Sequence, residues 1–281
     1  MIDWALVSNP SFLAIAAILL FGVPHGGLDG AIARRAGWPS GYFYWILFHA
    51  AYLVLAAAVA LLWWLYPLAS LIFFLTISAF HFGSSDIRAI DAPTTPRAWL
   101  PLAAHGGLVA IAIPALQSAA VQPLFGVLIG ADNARWLLAQ IDYLLLPWAA
   151  CVLLYALYSF YQPRWRLSVV NLVLLIGLAY ALPPLVSFAL YFCLWHSRTH
   201  MVRIWRNIAM EERVRSARET IIYSTLAYAA GALYLVLQSN SAAIDAELTP
   251  ALLQLTFIGL AALTVPHMLL VDIIHGRREQ Q

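Results

Sequence analysis

The feature that most constrains this chain is the length of its apolar runs. Leu53 to Leu65 and Leu172 to Ala181 contain no charged side chain, and similar stretches recur from end to end. Soluble domains carry about 25% charged residues, whereas this chain of 281 residues carries 10%, with 63% of its residues apolar. That composition excludes the ordinary globular, disordered, collagen-like and coiled-coil classes together. A membrane barrel would alternate apolar and polar residues with period two; unbroken runs call for helices, which satisfy their own backbone inside lipid. The expected fold class is therefore all-α, a polytopic integral membrane helical bundle. With no long linker, low-complexity tract or fixed-period repeat, residues 1–281 read as a single multi-pass membrane domain.

A helix needs about 20 mostly apolar residues to cross the hydrocarbon core. Candidate spans run near Ser11 to Val23, Gly41 to Leu65, Leu68 to Phe82, Trp99 to Leu116, Tyr143 to Phe160, Leu167 to Leu182, Leu185 to Trp205, Thr220 to Leu237 and Pro250 to Ile274. Eight spans is the rival count, because Pro183-Pro184 can be a kink in one long helix instead of a boundary. The segment from Gln117 to Asp142 reads as an excursion outside the membrane with a short amphipathic piece, interrupted by Pro123, Gly126 and Gly130. Every basic residue is arginine. With nine spans and the N-terminus outside, every arginine except Arg135 and Arg198 falls on the cytoplasmic side, as the positive-inside bias requires, and the C-terminus is cytoplasmic. The absence of lysine excludes chemistry through a lysine Schiff base, and with it the rhodopsins. Nothing basic precedes the first apolar run, so that run is expected to persist as a span and not to be cleaved as a signal. Cys151 and Cys193 sit in apolar runs as small hydrophobes.

The histidines are the informative polar residues. On the nine-span topology His25, His49, His81, His105, His196, His200, His267 and His275 all fall in the cytoplasmic half of the membrane, which suggests a common layer of imidazoles. His196 and His200 are four residues apart, on one helical face about a turn apart, so both can reach one ion. His81 follows the apolar Ile77-Ser78-Ala79-Phe80, where a metal ligand and a hydrogen-bonded core histidine are equally plausible readings. His25 stands among glycines in Gly22-Val23-Pro24-His25-Gly26-Gly27-Leu28-Asp29-Gly30, which can be a shaped site or a plain helix end. Asp29 is placed to accept the second N–H of a histidine, as carboxylates beside metal sites do. His267 and Asp272 could form a similar pair. His49 and His105 read as hydrogen-bonded packing residues and His275 as interfacial. An all-imidazole site suits iron, copper, zinc or nickel, so the spacing leaves the metal open.

At these residues the sequence resembles a known family. Pro24-His25-Gly26-Gly27-Leu28-Asp29, Phe80-His81-Phe82-Gly83 with Asp86 after it, Trp195-His196-Ser197-Arg198-Thr199-His200, and Pro266-His267-Met268 occur in the order found in the Brp/Blh family of β-carotene 15,15'-dioxygenases. The resemblance implies a membrane dioxygenase that cuts the central double bond of β-carotene with O₂ to give two molecules of all-trans-retinal. It further implies Fe(II) held by His25, His81, His196 and His200, with Asp29 and His267 as supporting residues or an alternate ligand. The implied setting is the cell (inner) membrane, with β-carotene drawn from the lipid bilayer, a functional link to a retinal-binding opsin, and no nucleic-acid partner.

Three other readings remain at the level of sequence. A di-iron desaturase or hydroxylase uses more histidines, including adjacent His-His pairs, and this chain has no His-His dipeptide. A b-type cytochrome would clasp haem between two histidines. A transporter would relay protons through histidines and buried carboxylates, yet the carboxylates here lie mostly at span ends and in loops. Arg198 is the exception among the charges, expected to pair with Asp29, Asp86 or Asp272 or to snorkel outward.

Overall fold

The computed structural model describes residues 10–93, 95–238 and 244–275, and the side chains of all these except 238, 244–249 and 273–275. Every regular element among them is helical. We number the helices α1 (Pro10–Arg35), α2 (Tyr42–Leu65), α3 (Pro67–Ile87), α4 (Pro96–Leu116), α5 (Ser118–Ile129), α6 (Ala131–Tyr161), α7 (Pro163–Ala181), α8 (184–207), α9 (Met210–Gln238) and α10 (Ile244–Met268), the last continued by a π-helical turn over Leu269–His275. Eight of them, all but α5 and α8, contain stretches long and apolar enough to cross a membrane.

The outward faces fit lipid. Most of α2 faces outward: Leu53, Val54, Leu61 and Leu62 are exposed, and among its residues Phe48 and Trp63 alone are buried. Water would penalise such a face, whereas hydrocarbon accepts it at no cost. Tyr42, 85% exposed, stands at one end of α2 and Trp64, 82% exposed, at the other, where aromatic rings anchor a span at the two interfaces.

Helix boundaries follow from the turn residues. Gly37 and Gly41 bracket the α1–α2 connection with positive φ of 73° and 126°, and Gly130, at φ 85°, separates α5 from α6. Pro183 marks a true boundary and not a kink: Leu182 (ψ 153°) and Pro183 (ψ 145°) are both extended. The carbonyls freed there are satisfied without solvent. Gln117 Nε2 donates to Ala179 O and Leu182 O, and Ser187 Oγ to Leu178 O, Leu182 O or Pro183 O.

Three expectations change. The segment from Gln117 to Asp142 is more helical than one short amphipathic piece: Pro123 and Gly126 are tolerated within α5, Gly130 does interrupt the segment, and α6 begins at Ala131. The third and sixth spans, short in the sequence reading, lengthen to Pro67–Ile87 and Pro163–Ala181. The seventh, Leu185 to Trp205, is helical throughout, but its second half, with His196, Arg198, His200 and Arg203, is too polar for it to qualify as a span on apolarity. His275 lies outside the residues whose side chains are described.

By packing, the chain forms two compact units, Met1–Ala14 with Leu71–Phe192, and Ile15–Ser70 with Cys193–Gln281. In the first, α3 and α4 pack backbone to backbone. A Cβ on Gly83 would lie 2.3 Å from Leu102 O, and one on Gly106 would lie 2.1 Å from Ala79 O, the small-residue contact typical of membrane helices. In the second, Leu28, Ala31, Ile32 and Ala33 of α1 form a core with Phe48 of α2, Ile204 of α8 and Leu270 and Val271 after α10.

Candidate metal centre

The second unit gathers four of the singled-out histidines. His25 comes from a 3-10 turn within α1 (Val23–Leu28), His196 and His200 from α8, and His267 from the end of α10. All four are buried, at 1% to 6% exposure. The ring of His25 lies at the middle, its centroid 5.1 Å from His196, 4.4 Å from His200 and 4.8 Å from His267. His200 and His267 are 5.1 Å apart, and His196 and His200, 6.3 Å apart, are nearly parallel.

Each of His25, His200 and His267 offers a nitrogen within 4.8 Å of the other two. Metal–nitrogen bonds of about 2.1 Å put three ligand atoms on one ion roughly 3 to 3.6 Å apart, so these nitrogens are near ligating distance and a small inward movement of the rings would bring them onto one cation. Imidazoles packed this tightly cannot all be protonated, because like charges in a low-dielectric interior repel strongly. A neutral imidazole carries one ring-nitrogen lone pair that can bind a divalent cation. The donor set thus fits a nitrogen-ligated transition metal.

Asp29 is the one fully buried carboxylate among the described residues of this unit. Its Oδ1 lies 2.7 Å from Nδ1 of His267 and its Oδ2 accepts the Tyr52 hydroxyl at 3.0 Å. The sequence reading set Asp29 a turn away from His25, as the carboxylate beside that imidazole, and offered Asp272 as the partner of His267; the structure joins Asp29 to His267 instead, because α1 and α10 pack together. Arg198 lies on the opposite face of α8 from His196 and His200 and is exposed, in keeping with the snorkelling alternative.

Sequence periodicity missed the local backbone. The turns just before His25 (Ile18–Gly22), around His196 (Leu190–Ser197) and just after His267 (Leu269–His275) are π-helical. Such widened turns are rare and concentrate at functional sites, where they re-aim side chains that a regular helix would misplace.

His81 belongs to the first unit, buried at 2% on α3 with its ring 5.8 Å from that of Phe82. That unit also holds a hydrogen-bonded network. His105 faces Asp86 through Nδ1 (3.3 Å) and Ser168 Oγ through Nε2 (2.9 Å), and Tyr191 donates to the same Asp86 oxygen. Both nitrogens of His105 are therefore engaged by protein. His49 likewise meets Tyr223 Oη at 3.1 Å, so both residues play the packing role their sequence context indicated.

A sequence model described as "Beta-carotene 15,15'-dioxygenase" matches residues 16–275. The chain belongs to that family. It is 36% identical to the β-carotene 15,15'-dioxygenase of an uncultured marine bacterium, over 98% of this chain and 94% of that one. It is 26% identical to the probable β-carotene 15,15'-dioxygenase Blh of Halobacterium salinarum, over 67% of this chain and 60% of that one. No solved structure matches. The family match spans every histidine singled out from the sequence, His25 to His275.

Proposed function

We propose that this chain cleaves β-carotene at its central double bond with O₂, giving two molecules of all-trans-retinal, at a mononuclear non-haem Fe(II) site. The observation that carries the reading is the convergence of His25, His196, His200 and His267 in one buried cluster within a chain of this family. We take His25, His81, His196 and His200 as the iron ligands. His81 enters on its motif and on its burial in an apolar helix, and the others also on ring geometry. Bound there, Fe(II) supplies the one-electron chemistry by which ground-state O₂ reacts with an alkene.

The chain's own residues do the rest. Neutral imidazoles direct lone pairs at one point, and Asp29 offsets the positive charge of an otherwise all-nitrogen site where the dielectric is low. The helices exclude water around the cluster, and their lipid-facing surfaces let a long hydrocarbon reach the site from the bilayer without crossing water. Both oxygen atoms end in the two aldehydes, so no proton is consumed and no acid or base is needed. In orientation, we place α8 across the membrane as a ninth span, with the N-terminus outside, the C-terminus in the cytoplasm and the protein in the cell (inner) membrane. An opsin that receives retinal is the natural functional partner.

The test is substitution by alanine. His25→Ala, His81→Ala, His196→Ala and His200→Ala should each abolish retinal formation and lower bound iron, while His49→Ala retains both. An active His200→Ala variant would remove it from the ligand set.

A further inference from the structure

The second unit also holds a chain of polar contacts that leads into the histidine cluster. It begins at Tyr52 on α2, whose hydroxyl lies 3.0 Å from Asp29 Oδ2 and 3.1 Å from the carbonyl of Leu263, one turn before His267. It passes through Asp29 to Nδ1 of His267 at 2.7 Å. It ends on the His267 ring, packed against His25 and His200 and in the group whose nitrogens lie within 4.8 Å of one another. In the neutral ring, an Asp29 acceptor at Nδ1 selects the tautomer with its proton there and its lone pair on Nε2. That tautomer binds a metal.

We propose that His267 is a further ligand of the same ion, and that Asp29 and Tyr52 are positioning residues that fix its tautomer and ring orientation. The inference rests on the metal site proposed above and extends it. A carboxylate–histidine–metal arrangement raises the basicity of the ligand and commonly contributes 10 to 100-fold to metal affinity. Tyr52 adds a second hold: by anchoring Asp29 to α2 and to the turn that carries His267, it limits rotation of the carboxylate. The site lies close beneath the backbone of the glycine segment, since a Cβ on Gly26 would come within 3.7 Å of the Tyr52 hydroxyl and 3.9 Å of Asp29 Oδ2. A side chain larger than alanine at Gly26 would press on the relay itself.

The experiment uses the full-length protein in detergent, stripped of metal and titrated anaerobically with Fe(II) against a competing chelator, for wild type, Asp29→Asn, Tyr52→Phe and His267→Ala. Thermal midpoints are recorded with and without Fe(II). Asp29→Asn and His267→Ala should bind Fe(II) about 10 to 100-fold more weakly than wild type, and Tyr52→Phe, which removes one oxygen, a few-fold more weakly. The metal-free midpoints of Tyr52→Phe and Asp29→Asn should stay near wild type while the rise on adding Fe(II) shrinks. Wild-type affinity in Asp29→Asn and His267→Ala overturns the inference and leaves the four-histidine reading standing. A loss confined to the metal-free midpoint also overturns it, by showing a structural role. Failure of wild type to bind Fe(II) overturns the reading and the inference together.

Discussion

Gly27 shows how the His25 segment is tied into its unit. A Cβ there would meet Thr220 Cγ2 at 2.6 Å and Thr220 Cα at 3.0 Å, so α9 packs directly on the backbone beside His25. Gly27→Ala should therefore destabilise the protein by about 1 to 3 kcal/mol, read as a lower thermal midpoint. Thr220→Ala in the same chain should recover only part of the loss, because the backbone contact persists. A Gly27→Ala protein as stable as wild type would show that α9 can move away freely. From the sequence, the glycines around His25 were legible as a shaped segment, since so many beside one imidazole and one carboxylate is unusual. What they approach was not: the contact joins residues far apart in the chain, and no local pattern encodes it. The Asp29–His267 pair was half legible for the same reason, as a carboxylate awaiting a histidine whose identity depends on how α1 and α10 pack.

Among the helices, apolar run length gave the spans and the turn residues gave most boundaries. Errors arose where proline and charged residues were read as helix breaks. Pro123 does not interrupt α5, and α6 extends back to Ala131 despite Asp132, Asn133 and Arg135 near its start. The π-helical turns beside the buried histidines left no trace in periodicity, because one extra residue per turn is smaller than the tolerance of any pattern read from a single sequence. α8 is the element on which topology turns. At 1.5 Å per residue its 24 residues (184–207) are long enough to cross the membrane, and its polar residues include the two buried ligand candidates. If it crosses, the chain has an odd number of spans. Reporters fused to the two ends should then lie on opposite sides, with the C-terminal one cytoplasmic; both on one side would remove α8 from the set of spans.

Taken whole, the molecule solves a solubility problem. Its substrate class is confined to lipid, and the metal centre proposed for its imidazoles, carried by membrane helices, would bring the chemistry to the hydrocarbon. The lipid-facing surface of α2 and the buried cluster are two consequences of one composition, apolar nearly everywhere except where histidine, aspartate and tyrosine converge. The most direct measurement of the central claim is metal content and product on the same purified wild-type sample supplied with β-carotene and O₂. About one non-haem iron per chain, with two retinals formed for each β-carotene consumed, is the predicted result. A protein that carries zinc or haem and forms no retinal would contradict it.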